Sequence, residues 1–352
     1  MKNDKSIKIG SKVISDSSKA FIIAELSANH NQSIDIAVQT IRAAKEAGAD
    51  AIKFQTYTPD TITLDCDNEY FQIKQGTIWD GTTLYKLYQR AYTPWEWQPK
   101  LKEIAEKIGL ICFSSPFDNS AVDFLEKMNV PAYKIASFEI TDLPLIEYVA
   151  LKNKPVIIST GIATLEEIEA AVLTCKNAGN EQIALLKCTS EYPTILEDVN
   201  LHTMSDLKDR FETIVGVSDH TMSIVVPVSS IVLGGRIIEK HFILDRLIDS
   251  PDSKFSLIPR EFKEMTEAVR DTEIALGKVT YELSAKAKKS REHSRSLFIV
   301  KEMKKGEVFN EENVKSIRPG FGIYPKYLKE IIGKKALVDI KRGTPLNWDL
   351  IE

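Results

Sequence analysis

The sequence predicts an α/β fold, a (β/α)8 TIM barrel followed by a small C-terminal domain, on three observations. Eight short apolar runs recur along the chain, and each stops at polar or charged residues. The runs are continuous rather than alternating, as expected of parallel strands buried on both faces. Amphipathic helical patterns lie between them, so strand and helix alternate as in a repeated right-handed crossover. A barrel of this kind gathers the carboxyl ends of all its strands at one mouth, where barrel enzymes keep their active sites.

The first run, Phe21-Ile22-Ile23-Ala24, stops at Glu25. Ser33 then N-caps a helix with Ile34, Ala37, Val38, Ile41 and Ala44 on one face, and Gly48 closes it in the left-handed conformation. Ala51-Ile52 runs into Lys53-Phe54-Gln55. Leu110-Ile111-Cys112-Phe113 stops at Ser114-Ser115, with a helix expected over 118–128. Ala132-Tyr133 leads to Lys134, Ser137 and Glu139, with a helix over 143–151. Val156-Ile157-Ile158 stops at Ser159-Thr160. Thr164 starts the next helix, which carries Glu166 and Glu167 where the helix dipole favours negative charge and ends near Gly179. Ile183-Ala184-Leu185-Leu186 stops at Lys187, Thr189 and Ser190. Ile214-Val215-Gly216-Val217 stops at Ser218-Asp219-His220, before a helix over 224–233. Arg236-Ile237-Ile238 leads to Glu239-Lys240-His241, before a helix over 259–276. A doubly wound open sheet is the rival fold, but no G-x-G-x-x-G follows any strand.

Two regions break the alternation. Residues 56–97 are too long for an ordinary loop and hold nine aromatic residues, Tyr57, Tyr70, Phe71, Trp79, Tyr85, Tyr88, Tyr92, Trp95 and Trp97. They form either a lid over the mouth or a helical cover packing its own aromatics. Residues 281–294 form a charged linker. The expected organisation is therefore a catalytic barrel over 1–280, this linker, and a small domain over 295–352 with short strands near 296–300 and 336–340. A domain of that size buries little core alone and is expected to pack against something.

Composition narrows the function. At 352 residues the chain accommodates a barrel plus the small domain, and a net charge of -4 gives no reason to propose nucleic acid binding. No apolar stretch reaches the length of a membrane span, and the polar first 20 residues lack a signal-peptide core. The four cysteines form no close pair, which suits reduced thiols in a cytoplasmic protein.

Chemistry concentrates at the strand ends. His220 and His241 end consecutive strands and fall within reach of one metal ion. Two imidazoles leave positions open for water and substrate oxygens, as a catalytic Mn²⁺, Zn²⁺ or Mg²⁺ requires. The alternative is a pair of hydrogen-bonding loop histidines. Asp219 and Glu239 are candidates for orienting the rings, and His30 for facing the mouth. Lys53, Lys134, Lys187 and Lys240 sit at strand ends, and side-chain alternation turns about half of them inward. Inward lysines with serine and threonine hydroxyls make a site for phosphate or carboxylate. Gln55 and Ser114 share these strand-end positions. A neutralising lysine, or a Schiff-base lysine as in aldolases, is the competing reading. Glu25, among apolar neighbours, is a candidate general acid or base.

Several motifs resemble the sialic acid synthase family. They are Ile23-Ala24-Glu25-Leu26-Ser27-Ala28-Asn29-His30-Asn31, Lys53-Phe54-Gln55-Thr56, Tyr133-Lys134-Ile135-Ala136-Ser137, Ser159-Thr160-Gly161, Gly216-Val217-Ser218-Asp219-His220-Thr221 and Ile238-Glu239-Lys240-His241-Phe242. Ser294-Arg295-Ser296-Leu297-Phe298 and Ile317-Arg318-Pro319-Gly320 resemble that family's antifreeze-like (SAF) domain. The resemblance implies condensation of phosphoenolpyruvate with the open-chain aldehyde of an N-acetylated sugar, giving a nine-carbon 2-keto acid and phosphate. Gly76-Thr77-Ile78-Trp79-Asp80-Gly81, Ala91-Tyr92-Thr93-Pro94-Trp95-Glu96-Trp97 and Ser250-Pro251-Asp252-Ser253-Lys254-Phe255-Ser256-Leu257 look most like members whose sugar is 2,4-diacetamido-2,4,6-trideoxy-L-altrose. Members making legionaminic or N-acetylneuraminic acid are the alternative.

The resemblance also implies roles. His220 and His241 would hold a divalent ion, usually Mn²⁺, with Mg²⁺ or Co²⁺ as alternatives. Lys53, Lys134, Ser137, Ser159, Ser190 and Ser218 would bind phosphoenolpyruvate, and Glu25 would handle the proton of the water that adds to its C2. Tyr192, Glu139 and Asp252 would touch the sugar, an N-acetylated 6-deoxy amino sugar. Arg318 would reach an acyl group from the partner subunit of a domain-swapped homodimer. The family carries Thr-Asn where this chain has Thr189-Ser190.

Overall fold

The computed structural model describes residues 5–74, 76–190 and 194–352. The chain divides into two compact units, the first ending at Gly277 and the second spanning Lys278–Glu352.

A hairpin comes first. Strands β1 (Ser6–Ile9) and β2 (Lys12–Ser15) pair antiparallel, and Gly10 turns the chain between them at φ +56°. Ile7, Ile9 and Ile14 join the barrel core from this hairpin. Four-residue strands among lysines and serines carry too short an alternation to stand out in the sequence, so this element was not anticipated.

The barrel strands follow: β3 (Phe21–Glu25), β4 (Ala51–Thr56), β5 (Ile111–Pro116), β6 (Tyr133–Ile135), β7 (Val156–Ser159), β8 (Ile183–Cys188), β9 (Ile214–Asp219) and β10 (Ile237–His241). All pair in parallel with their sequence neighbours, and β10 closes on β3 in a register running from Ile237↔Phe21 to His241↔Glu25. Every residue of β3, β6, β7, β9 and β10 is buried, which explains their continuous apolar composition. Gly216 lets β9 and β10 approach, since a Cβ there would stand 2.0 Å from the Ile237 carbonyl oxygen.

A helix follows each strand. Helix α1 (Ile34–Glu46) is capped by the Ser33 side chain, buries Ala37, Thr40, Ile41 and Ala44, and is followed by Gly48 at φ +94°. The 56–97 insertion contains α2 (Pro59–Ile62) and α3 (Leu84–Ala91), and the barrel helix of that unit, α4 (Gln98–Lys107), comes only after it. Next come α5 (Asn119–Lys127), α6 (Leu143–Ala150) and α7 (Leu165–Asn177), the last opened by a Thr164–Glu167 capping box. Then follow α8 (His202–Phe211), α9 (Val225–Val232) and α10 (Pro259–Leu276). No helix among the described residues is long and apolar enough to cross a membrane.

The second unit holds α11 (Ala285–Ser290), the antiparallel pair β11 (Ser296–Ile299) and β12 (Val314–Ile317), and α12 (Leu328–Ile331). The expected strand at 336–340 is not regular; it contributes only isolated bridges, Met303↔Ile340 and Ala336↔Ile351. Frequent turns leave its backbone no room for a longer ladder. Leu297, Ile299, Met303, Phe309, Ile331 and Leu346 form part of a core that belongs to this unit alone.

Candidate active site at the barrel mouth

Strand register decides which polar strand ends face inward. Residues alternate along a strand, and laterally paired residues share a face. Glu25 pairs with Lys53, and Glu239 with Ser218. These four, with Lys134, meet inside the barrel. Lys53 Nζ lies 2.8 Å from Glu25 Oε2 and 3.8 Å from Glu239 Oε1, and Lys134 Nζ lies 3.8 Å from Glu239 Oε1. Ser218 Oγ donates to Glu239 Oε1 (3.1 Å), Gln55 Nε2 donates to Glu25 Oε1 (3.2 Å), and Lys53 donates to Ser115 Oγ (3.0 Å). Two carboxyl groups and two ammonium groups thus share one buried chamber.

Their protonation follows from burial and neighbours. Burial pushes Glu25 up to about 7 against the pull of Lys53. Glu139, on the turn after β6, is likewise pushed to about 7 by burial, against Lys134. Burial works against the charge of Glu239 too, but Lys134 and Lys53 outweigh it and hold that carboxyl below its ordinary range. For Lys53 burial is outweighed by Glu239 and Glu25, and its pKa rises; for Lys134 burial wins and its pKa falls.

Beside the lysines is a hydroxyl-lined cradle. Gly161 donates its N–H to Ser137 Oγ (2.6 Å), and a Cβ on Gly161 would stand 2.5 Å from that oxygen and 2.2 Å from Ser190 Oγ. Glycine is therefore the residue that leaves the space open. Ser159 Oγ, Glu139 Oε2 and Glu239 Oε2 are buried with no hydrogen-bond partner among the described residues. Such orphaned atoms cost about 1–3 kcal/mol each unless something else satisfies them.

His220 and His241 stand on the same inner face, with ring centroids 5.2 Å apart. His220 Nδ1 lies 3.1 Å from the Thr189 carbonyl oxygen. A carbonyl only accepts, so Nδ1 carries the proton. Burial works against a charge on this ring, but Cys188, Asp219 and the Thr189 carbonyl outweigh it and raise its pKa. His241 Nδ1 is buried without a hydrogen-bond partner, 3.6 Å from Asp252 Oδ2. Burial, helped by His220, Lys53, Lys240 and Lys134, drives its pKa well below the ordinary value, so the ring is neutral. No group of three His, Cys, Asp or Glu side chains among the described residues forms a ready metal cage. The pair nonetheless fits two ligands of a divalent ion whose remaining positions go to water and substrate oxygens.

Other strand-end residues lie elsewhere. Ser114 pairs with Phe54, on the opposite face from Lys53, and its Oγ lies 2.6 Å from Thr56 Oγ1 in a network with Gln98 of α4. Ser115, one residue on, is the member that meets Lys53. Lys187 pairs with Val217 rather than Ser218, and its ammonium donates to the Cys188 carbonyl (2.7 Å) and Thr189 Oγ1 (3.3 Å). Lys240 is fully buried against Asp219 Oδ2 (2.5 Å) and the Thr221 carbonyl. Asp219 is thereby committed to Lys240 and Glu239 to the lysines, so neither hydrogen-bonds a histidine ring, contrary to expectation. His30 packs on Trp97 and bonds Thr93 Oγ1 (3.1 Å), anchoring the insertion. Tyr192 lies outside the described residues. Arg318 is exposed in the second unit, just after β12. Sequence reasoning missed Ser115 and Gly161; strict alternation from Lys53 across to its neighbours would have found the first.

Two inward lysines beside carboxyl groups and orphaned polar atoms, gathered at the mouth of a parallel barrel, are the makings of an enzyme site for an anion. The chain belongs to the NeuB family: the NeuB family model matches residues 40–281, and the SAF domain model matches residues 294–352. It is 52% identical to the pseudaminic acid synthase of Campylobacter jejuni over 93% of this chain and 95% of that protein. It is 48% identical to the pseudaminic acid synthase of Helicobacter pylori, over 94% and 97%. The solved structure of the N-acetylneuraminic acid synthetase of Leptospira borgpetersenii is similar at a TM-score of 0.72 and 30% identity, covering 82% of this chain and 95% of that one.

Proposed function

We propose that this enzyme condenses phosphoenolpyruvate with 2,4-diacetamido-2,4,6-trideoxy-L-altrose to give pseudaminic acid and phosphate. The observation that carries the reading is identity of 52% and 48%, over more than nine-tenths of the chain, to two synthases named for that product. The neuraminic acid counterpart stands at 30%.

Lys53 and Lys134 supply the charge that neutralises the phosphoenolpyruvate phosphate and carboxylate. Ser137, Ser159, Ser190 and Ser218 supply hydroxyls in the space that Gly161 leaves open. C3 of the enol bonds to the sugar aldehyde carbon, water adds at C2, and the C2–O bond to phosphate breaks to leave the ketone. Glu25, poised near neutrality beside Lys53, takes the proton of that water. Glu139, Asp252, Gln55 and Tyr192 are assigned to the sugar. His220 and His241 would hold a divalent ion, Mn²⁺ in our reading, with Mg²⁺ or Co²⁺ as alternatives. Such an ion, when bound, polarises the aldehyde as a Lewis acid. Burial of neutral His241 with an orphaned nitrogen supports this assignment.

The substrate assignment is tested by measuring phosphate release and product mass with phosphoenolpyruvate and a panel of N-acetylated hexoses. Turnover with N-acetylmannosamine alone would refute it. We assign Arg318 to the sugar site of a partner chain in a homodimer. Exposed Phe321 and Tyr324 nearby suit a docking surface. A chain ending at Lys289 should lose activity though its barrel folds; full activity would refute this role. Four free cysteines fit a reduced, cytoplasmic setting.

A further inference from the structure

The inward rows of β4 and β5 continue past the ends of the strands. Lys53 and Gln55 point into the barrel, and Tyr57 is the next position of that row. Ser115 meets Lys53 from β5, and Phe117 is the next position of its row. Gln55 pairs with Ser115, and beyond them the rings of Tyr57 and Phe117 meet edge-to-face at 5.1 Å. Tyr88, from α3 of the insertion, meets Tyr57 in the same way at 5.5 Å. Trp95 fixes the backbone of this trio by donating its indole N–H to the Tyr57 carbonyl (3.0 Å). Tyr57 is only 2% exposed, yet its hydroxyl has no hydrogen-bond partner among the described residues. A buried tyrosine hydroxyl normally finds one. Burial raises this phenol well above its ordinary value, with Asp252, Tyr88 and Glu25 adding to the rise, so it stays a neutral donor. Burial raises Tyr88 as well, with Glu139 adding to it. The trio therefore stands among Gln55, Glu139 and Asp252, the groups assigned to the sugar.

We propose that Tyr57, with Tyr88 and Phe117, forms the specificity-determining pocket for the C4 acetamido group of the sugar. An acetamido group presents a methyl and a carbonyl oxygen side by side. Three aromatic rings suit the methyl, and one unpaired phenol O–H suits the oxygen. Position along the row selects C4 over C2. The aldehyde carbon must meet the enol near Glu25 and Lys53, and C2 is bonded to that carbon. Tyr57 lies nearer the rim than Gln55 by about 7 Å of strand rise, where a substituent farther along the carbon chain arrives. A hydroxyl at C4 would end two bonds short of the acetamido oxygen and would leave both the rings and the phenol unfilled. The proposal rests on the reading of the substrate as a 2,4-diacetamido sugar, and it names what in the site reads the second acetamido group.

The test compares the diacetamido sugar with its analogue carrying a hydroxyl at C4, by phosphate release with thermal melting recorded beside it. Tyr57→Phe keeps the ring and loses the donor. It should raise the KM for the diacetamido sugar about fivefold, the worth of one neutral hydrogen bond, and leave the KM for the analogue within about twofold. The KM for phosphoenolpyruvate and kcat should move less than about twofold, as expected when only sugar binding is lost. Phe117→Leu keeps an apolar side chain and loses the ring. It should raise the KM for the diacetamido sugar about threefold and again spare the analogue. An unchanged preference between the two sugars in Tyr57→Phe would reduce the trio to packing of the insertion and overturn the proposal, whatever the melting temperature does. Wild-type enzyme that uses the two sugars equally well would instead overturn the diacetamido reading of the substrate, and this proposal with it.

Discussion

Lys53 and Lys240 occupy equivalent places near the carboxyl ends of barrel strands, yet they meet opposite surroundings. Lys53 points into the barrel, where Glu25 and Glu239 share it and a serine hydroxyl completes it. Lys240 points into the wall between strands and helices, where Asp219 and a backbone carbonyl saturate it. The inner lysine sits among orphaned carboxylate and hydroxyl atoms, and the outer one has its charge answered by its own strand neighbours. A single step of alternation separates a group available to substrate from one committed to the fold.

Substitution of each lysine breaks the comparison in opposite directions. Lys53→Met should lower kcat/KM by about 10³-fold or more, measured as phosphate release, since it removes a charge from the anion site and the partner of Glu25. Its melting temperature should change less, because Glu25 is already poised to take up a proton. Lys240→Met strands a buried Asp219 and should cost about 3–5 kcal/mol of stability by denaturant titration. The double variant Lys240→Met with Asp219→Asn should recover much of that loss. Equal activity loss in the two lysine variants, with equal stability loss, would erase the distinction.

A second contrast concerns pH. Glu25 and Glu139 are both raised from about 4.5 to about 7 by burial. Between those values the folded chain binds more protons than the unfolded one, so these groups stabilise fully below about 4.5 and lose that contribution as pH rises through about 7. Each contributes at most about 3 kcal/mol across the window. Melting temperature should therefore fall from pH ~4.5 to ~7 because of them, and Glu139→Gln should flatten the fall. In the same range kcat/KM should rise as Glu25 ionises, and Glu25→Gln should abolish that rise with the activity. A melting curve indifferent to Glu139→Gln would show that its carboxyl is not held protonated.

The barrel was legible because its signal is redundant. Each strand announces itself by a continuous apolar run, and capping at Ser33 and Thr164 fell where the sequence placed it. Helices α4 and α8 were missed because a long aromatic insertion and an uncapped start hide them. The site was legible to the level of strand ends and no further. Position along a strand does not say which face a side chain takes where both faces are buried, and apolar flanks of Ser114 and Lys187 look alike in either orientation.

The adjacent pair Ser114 and Ser115 sharpens the comparison at its smallest scale. Ser115 accepts from Lys53, whereas Ser114 is bound to Thr56 beside Gln98. Ser115→Ala should loosen the orientation of the Lys53 ammonium and raise the KM for phosphoenolpyruvate about 10–100-fold, because a hydrogen bond from a charged donor is worth about 1.5–3 kcal/mol. Ser114→Ala leaves Thr56 with Gln98 as its remaining partner and should cost about 1 kcal/mol of stability while leaving KM unchanged. Steady-state kinetics beside thermal melts would read both. If Ser114→Ala were the variant that raised KM, the strand would be turned by one residue from the register seen here, and Lys53 with it. The kinetics of these two serines thus measure the strand's orientation in solution.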